Sequence, residues 1–263
     1  MFGGRVWVCA TLSLAVLLVA AAGGCKDAPR TPVATPVAPV VETAEPNGYV
    51  ILSTLEPRGG EKRTNRTYLL GRHAVAYDLN SKLDAVYDLQ AESWIDAGGK
   101  RTTLADAEAQ FDNKRQQTES NLKSAPDTPY VRALRQALRP SFNVEKAGER
   151  LVMKSPSMTL EVVPAVTPLP KATADQVYLL DRMIAYRNGR EELKGQPPYM
   201  MLTLHEECRK RGIYPSLIDM TIRAGGEPAS AQATISFGPL TAEQHAHMSG
   251  LVQRVQSLAD ARD

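Results

Sequence analysis

Alternation between apolar and polar residues governs the chain beyond residue 48. Tyr49–Leu55 is rich in β-forming residues, and Thr67–Leu70 and His73–Leu79 follow it. Asn80 and Ser81 supply a turn, after which Leu83, Ala85, Tyr87 and Leu89 alternate with Asp84, Val86 and Asp88. Glu92, Trp94 and Asp96 then alternate with Ser93, Ile95 and Ala97 as far as the turn at Gly98 and Gly99. Successive side chains on a strand point to opposite faces, and short strands joined by short turns pair antiparallel. The pattern predicts a curved meander with one covered face and one wet face.

The spacing then changes to that of helices. Thr103, with Asp106 three residues on, caps a helix to Lys123 whose apolar positions are Leu104, Ala107, Phe111 and Leu122. A second helix runs from Tyr130 to Arg139, with Val131, Leu134 and Leu138 on one face and Pro140 as its stop. Two strands follow, Phe142–Ala147 and Arg150–Val163, the latter broken at Pro156. Thr173 and Gln176 read as a capping box opening a helix to about Leu193, with Val177, Leu180, Met183 and Ile184 as its buried stripe. Pro197 and Pro198 start another helix, which Gly212 and Pro215 end.

In the last block, Leu217–Arg223 is a strand, Gly225 and Gly226 turn the chain, and Ala231, Ala233, Ile235 and Phe237 alternate with polar neighbours. Thr241 and Gln244 cap a final helix with a stripe of Met248, Leu251, Val252, Val255, Leu258 and Ala259. That face needs a sheet to cover. The expected fold class is α+β: a curved antiparallel sheet with helices packed on one face, formed by one domain over residues 49–263.

The amino terminus carries an address. Arg5 is the sole charge before Lys26, and an apolar centre at Val16–Val19 leads into Ala20, Ala21, Ala22, Gly23, Gly24 and Cys25. A basic start, a short apolar core and a small-residue exit outline a secretory signal. An uncleaved membrane anchor and a cleaved, unlipidated signal are the alternatives. Ala22-Gly23-Gly24-Cys25 resembles a bacterial lipoprotein lipobox, although that family prefers Leu, Val or Ile where Ala22 stands. The resemblance implies cleavage after Gly24 and a diacylglycerol thioether on Cys25, so that residues 1–24 are the signal. Each buried acyl CH2 contributes about 0.8 kcal/mol, so two or three chains anchor firmly. Residues 25–48 then hold the lipidated Cys25 and a linker containing Pro29, Pro32, Pro36, Pro39 and Pro46. Proline lacks an N–H and fixes φ, so this stretch joins neither helix nor sheet interior; extended, it reaches roughly 70 Å. The expected location is the bacterial cell envelope, with the domain facing the periplasm or the exterior. The absence of Asp after Cys25, where Lys26 stands, favours the outer membrane by the same resemblance.

Chemistry is sparsely signalled. Lys and Arg total 31 against 29 Asp and Glu, a formal charge of +2, which offers no basic face for nucleic acid. Gly-x-Gly-x-x-Gly, Walker-type and Gly-x-Ser-x-Gly patterns are absent. His205 and Cys208 share a helical face and could form a nucleophile pair or half a metal site, but Arg209 breaks His-Glu-x-x-His and no second Cys/His cluster exists. Cys208 also continues the stripe of Met201 and Leu204, which makes a buried structural cysteine the simpler reading. His73, His245 and His247 are too dispersed for a metal. Asp78, Asp84, Asp88 and Asp96 could suggest paired catalytic carboxylates, but a solvated sheet face produces the same alternation and no cleft is signalled. Arg132, Arg135 and Arg139 line one helix face and read as solvated, with anionic headgroups as the functional alternative. Asn65-Arg66-Thr67 matches a glycosylation sequon, which a bacterial lipobox discounts. The sequence therefore assigns no catalytic, cofactor or metal residue, and Cys25 is its one modification site.

A meander, then helices, then a sheet with a covering helix, behind a lipoprotein signal, loosely resembles the periplasmic half-barrel proteins of the LolA, LolB and LppX type. The resemblance covers most of residues 49–163, is architectural and transfers no site. It implies an apolar cavity under the sheet for acyl chains or lipoproteins. A non-enzymatic envelope lipoprotein binding an apolar ligand, a lipid or another envelope protein is the expected function. A structural or interaction lipoprotein without a cavity is the alternative, and a hydrolase or redox enzyme using Cys208 and His205 the third. A cavity lined by Tyr77, Leu79, Leu83 and Tyr87 would favour a ligand carrier, and a filled core the alternative. No sequence feature fixes an oligomeric state.

Overall fold

The computed structural model describes residues 48–78, 82–191, 198–223 and 228–261. Cys25, the signal, the linker before Gly48 and the turns expected at Asn80–Ser81 and Gly225–Gly226 lie outside them, as do Leu79 and Pro197.

Among the described residues the strands form one open antiparallel sheet. β1 (Tyr49–Pro57), β2 (Arg63–Leu70), β3 (His73–Tyr77), β4 (Leu83–Asp88), β5 (Ser93–Asp96) and β6 (Arg101–Thr103) meander from the middle of the sheet to one edge. Between β6 and the next strand stand α1 (Leu104–Leu122) and α2 (Pro129–Leu138). β7 (Asn143–Ala147) forms the other edge, followed inward by β8 (Arg150–Lys154) and β9 (Met158–Pro164). After α3 (Lys171–Glu191) and α4 (Tyr199–Lys210), β10 (Pro215–Ile222) and β11 (Ala229–Pro239) complete the sheet, and α5 (Ala242–Asp260) ends the fold. β11 pairs with β1, Tyr49 opposite Pro239, and joins the two meanders. The α+β class and antiparallel meander are as expected; the three-residue β6 was not anticipated.

Local chemistry accounts for most element boundaries. Thr103 accepts from the Asp106 N–H at the start of α1, and Thr128 accepts from Val131 N ahead of Pro129 in α2. Thr241 and Gln244 form the expected capping box on α5. The box expected at Thr173 and Gln176 is a correction: α3 already starts at Lys171, and Ala174 N donates to Pro170 O. Proline fixes the backbone just before the helix, so Thr173 lies within its first turn instead of capping it.

The expectation of helices on one face is also corrected. α1 to α4 cover the inner face, where Ile51, Leu69, Tyr87, Leu160, Val162 and Ile218 join Leu104, Leu180, Met183 and Leu204 in one cluster. α5 covers the opposite face over β2–β5, packing Met248, Val252, Val255 and Ala259 on Tyr68, Leu70, Val75, Val86 and Ile95. The supposedly wet face of this half is apolar, so burying it requires a second layer. Leu258, assigned to the buried stripe, is 65% exposed and points away. Beyond the reach of α5 the outer face is solvated, with Arg150 paired to Glu161, Lys154 to Glu145, and Gln232 bonded to Asp219.

Candidate functional site

Asp181, His205, Cys208 and Tyr214 come together in the interior where α3, α4 and the approach to β10 meet. Val177, Leu180, Met183 and Ile184 seat α3 on the sheet. Asp181, four residues after Val177, is thereby carried into the same interior. On α4, Leu204 and Cys208 face inward one turn apart, and His205 lies beside them. Gly212, with φ of 62°, ends α4 and lets the chain double back, which brings Tyr214 over α3. The Tyr214 hydroxyl donates to Asp181 Oδ2 at 2.9 Å, and that of Tyr178 donates to the Ile213 carbonyl.

His205 Nδ1 lies 3.8 Å from Asp181 Oδ2, and both side chains are more than nine-tenths buried. Among the described residues, neither His205 ring nitrogen, nor Asp181 Oδ1, has a hydrogen-bond partner. Burial pushes the Asp181 carboxyl up to about 8, partly offset by the Tyr214 hydrogen bond. Burial brings His205 down to about 4. Cys208 is wholly buried, and desolvation pushes its thiol up to about 12. A nucleophilic cysteine needs an accessible, electropositive setting that favours the thiolate. Cys208 has the opposite setting, in keeping with a buried structural cysteine on the stripe of Met201 and Leu204. His205 and Cys208 do sit on one buried face, as their spacing implies. Sequence reasoning missed Asp181 and Tyr214; the readable signal was a carboxylate on the buried side of the α3 stripe.

The four aspartates are redistributed. Asp78, Asp88 and Asp96 each hold a hairpin turn: Asp78 Oδ1 accepts from Lys82 N, Asp88 Oδ1 from Gln90 N and Ala91 N, and Asp96 Oδ1 from Lys100 N. The solvated-face reading fails for Asp78 and Asp84, which are buried. Asp84 is the extra residue of a β-bulge, since Ala76 opposes Ala85 while Tyr77 opposes Leu83. The bulge points Asp84 toward α3, where Arg187 grips its carboxylate at 2.6 and 2.8 Å and its carbonyl at 3.2 Å. Arg187 falls on the same helical stripe as Val177, Leu180 and Ile184, a spacing that marks a buried charge and was overlooked.

The remaining candidates scatter. Arg132 and Arg135 pair with the one Asp127, and Arg139 holds Glu119 at 2.5 and 2.8 Å, so each arginine of this row is engaged by an acid. His73 meets Asp88 at 3.6 Å and Gln256 of α5 at 3.2 Å; His247 is exposed and His245 half-buried. Asn65 is buried in β2, so the sequon presents no acceptor. Tyr77 and Leu83 pack under α5, whereas Tyr87 packs under the inner helices with Trp94, so these residues line no common cavity. A groove of about 420 Å³ opens instead between α1, α2 and α4, with Leu138, Tyr199 and Leu202 at its floor and Arg115, Arg139, Glu206 and Lys210 around it. Among the described residues no group of three His, Cys, Asp or Glu could hold a metal ion, and no helix is long and apolar enough to cross a membrane. No protein-family model matches the chain, and no curated protein sequence matches it.

Proposed function

We propose that the chain is a lipid-anchored protein of the bacterial cell envelope, held by Cys25, whose domain binds another envelope protein through its surface and catalyses no reaction. The observation that carries this reading is the matched interior. Leu180, Met183, Leu204, Met153, Leu160 and Ile218, each 0–1% exposed, interdigitate between the sheet and the inner helices. Surfaces that are already paired leave recognition to the exterior, and the most nucleophilic residue type sits deep within the packed layer. A second reading, an apolar ligand or lipid held beneath the helices, draws support from the open antiparallel sheet, although the inserted helices and the carboxy-terminal strands depart from the plan of the half-barrel carriers.

Two measurements on full-length protein extracted in detergent test these readings. Labelling by a fatty-acid probe is expected in the wild type and absent in Cys25→Ala; equal labelling of both removes the anchor. Native mass spectrometry is expected to give the mass of the acylated chain alone or with a protein partner. A further lipid retained stoichiometrically by Cys25→Ala would replace protein binding with the carrier reading.

A further inference from the structure

The Asp181–His205 pair has no role in the proposed function, yet it is the most unusual polar contact in the interior. Two titratable groups lie 3.8 Å apart, and three of their four polar atoms lack a hydrogen-bond partner among the described residues. Such a pair carries no net charge only when it holds a single proton, whichever group bears it. A second proton, or loss of the first, leaves an uncompensated charge in the packed layer, which is costly.

Among the described residues, the surroundings supply no compensating charge. Tyr178 and Tyr214 face the pair from α3 and from the approach to β10, and burial raises both above the usual tyrosine range. On α4 the Cys208 thiol is also held protonated. Arg209 and Arg211, at the end of α4, are tied to Glu206 and Glu207. Arg132, Arg135 and Arg139 of α2 are tied to Asp127 and Glu119, Arg115 of α1 to Asp112, and Arg182 of α3 to Glu108. Asp175 of α3 stands near Tyr178. The sheet residues of the same cluster, Leu160, Val162 and Ile218, are apolar. The amino terminus of α4 has no side-chain cap, so this helix depends on contacts along its length.

We propose that Asp181 and His205 form a neutral pair carrying one proton in total and act as a latch, seating α4 against α3 while that proton is present and releasing α4 as the solution becomes alkaline. In the released form the groups return to ordinary values, near 3.8 and 6.5. Between about pH 4 and 6.5 both forms hold one proton, so release is insensitive to pH. Above pH 6.5 the released form loses its last proton, while the closed pair keeps it to about pH 8. Release then liberates a proton and becomes about tenfold easier per pH unit.

Amide hydrogen exchange of the full-length chain, measured from pH 5 to 8.5 and corrected for intrinsic rates, tests the latch. The opening constant of residues 199–210 is expected to be flat to about pH 6 and to rise about 15-fold by pH 8, while that of residues 104–122 stays level. A flat profile in α4, or an equal rise in α1, overturns the proposal. Asp181→Asn leaves only His205 to titrate, so release should shift to the acid side of pH 6.5. His205→Gln leaves only Asp181, so the rise should begin near pH 4. Retention of the wild-type profile by either variant overturns the one-proton pair. Should neither variant fold, the wild-type comparison of α4 with α1 decides alone.

Discussion

Asp84 occupies the extra position of the β4 bulge, and its carboxylate and carbonyl are both held by Arg187. A regular strand would place it on the face of Val86, under α5, away from Arg187. The bulge thus fastens α3 to β4 by a bidentate ion pair in which both side chains are 4% exposed. Removing one partner strands the other charge in the interior. Asp84→Ala and Arg187→Met should each cost about 3–5 kcal/mol in urea unfolding. The double variant should lose clearly less than the sum; strict additivity would place the two groups outside any mutual interaction. Asp78 and Asp96 behave differently because each accepts from a backbone N–H four residues ahead, at Lys82 and Lys100. Residue type was legible at all of these positions, but direction was not, since a bulge moves a side chain across the sheet without changing composition.

At the scale of elements, α5 determines what the sheet can expose. Its four buried residues, Met248, Val252, Val255 and Ala259, are spaced to lie on one face, and the capping box fixes where that face begins. Gln256 reaches His73, Asp260 pairs with Arg101 at 2.6 Å, and Tyr77 approaches the Met248 sulfur, so the helix is tied along its length. Met248→Ala should cost about 2–5 kcal/mol, whereas Leu258→Lys should change stability by less than about 0.5 kcal/mol in the same denaturation assay. Equal costs would mean that the helix is rotated from the face described. A similar intimacy joins α1 and α3: a Cβ on Gly189 would meet the Phe111 ring at 2.7 Å, so these helices cross closely because that position carries no side chain. The α5 cap and most of its stripe were readable from sequence. Its side of the sheet was not, although Val75, Val86 and Ile95 carried the signal of a strand set buried on both faces.

For the whole molecule, the decisive contact is β1 against β11. Tyr49 and Pro239 are neighbours in space, and the nine-residue register between these strands makes one sheet from two meanders. The amino-terminal meander receives its inner cover from α1–α4 and its outer cover from α5, all later in the chain. A fragment ending at Thr103 should therefore lack a cooperative unfolding transition and exchange its strand amides rapidly, because both apolar faces would be open to water. Cooperative unfolding of that fragment would show that local strand pairing suffices. Pairings this distant in sequence also place the chain among slow folders.

Sequence alone determined the elements. Period-two and helical spacings, turn residues and capping side chains act over a few residues, so strands, helices and their limits were largely legible, as was the assignment of Cys208 to the α4 stripe. The amino-terminal address was equally local in character and stands as a reading of residues 1–25. Tertiary structure alone decided which face each helix covers, that β1 meets β11, that Asp84 turns to Arg187, and that Asp181 lies beside His205. These depend on packing and desolvation between residues as many as 190 positions apart, between Tyr49 and Pro239. Spacing along a chain records which side chains share a face; it does not record what that face will meet.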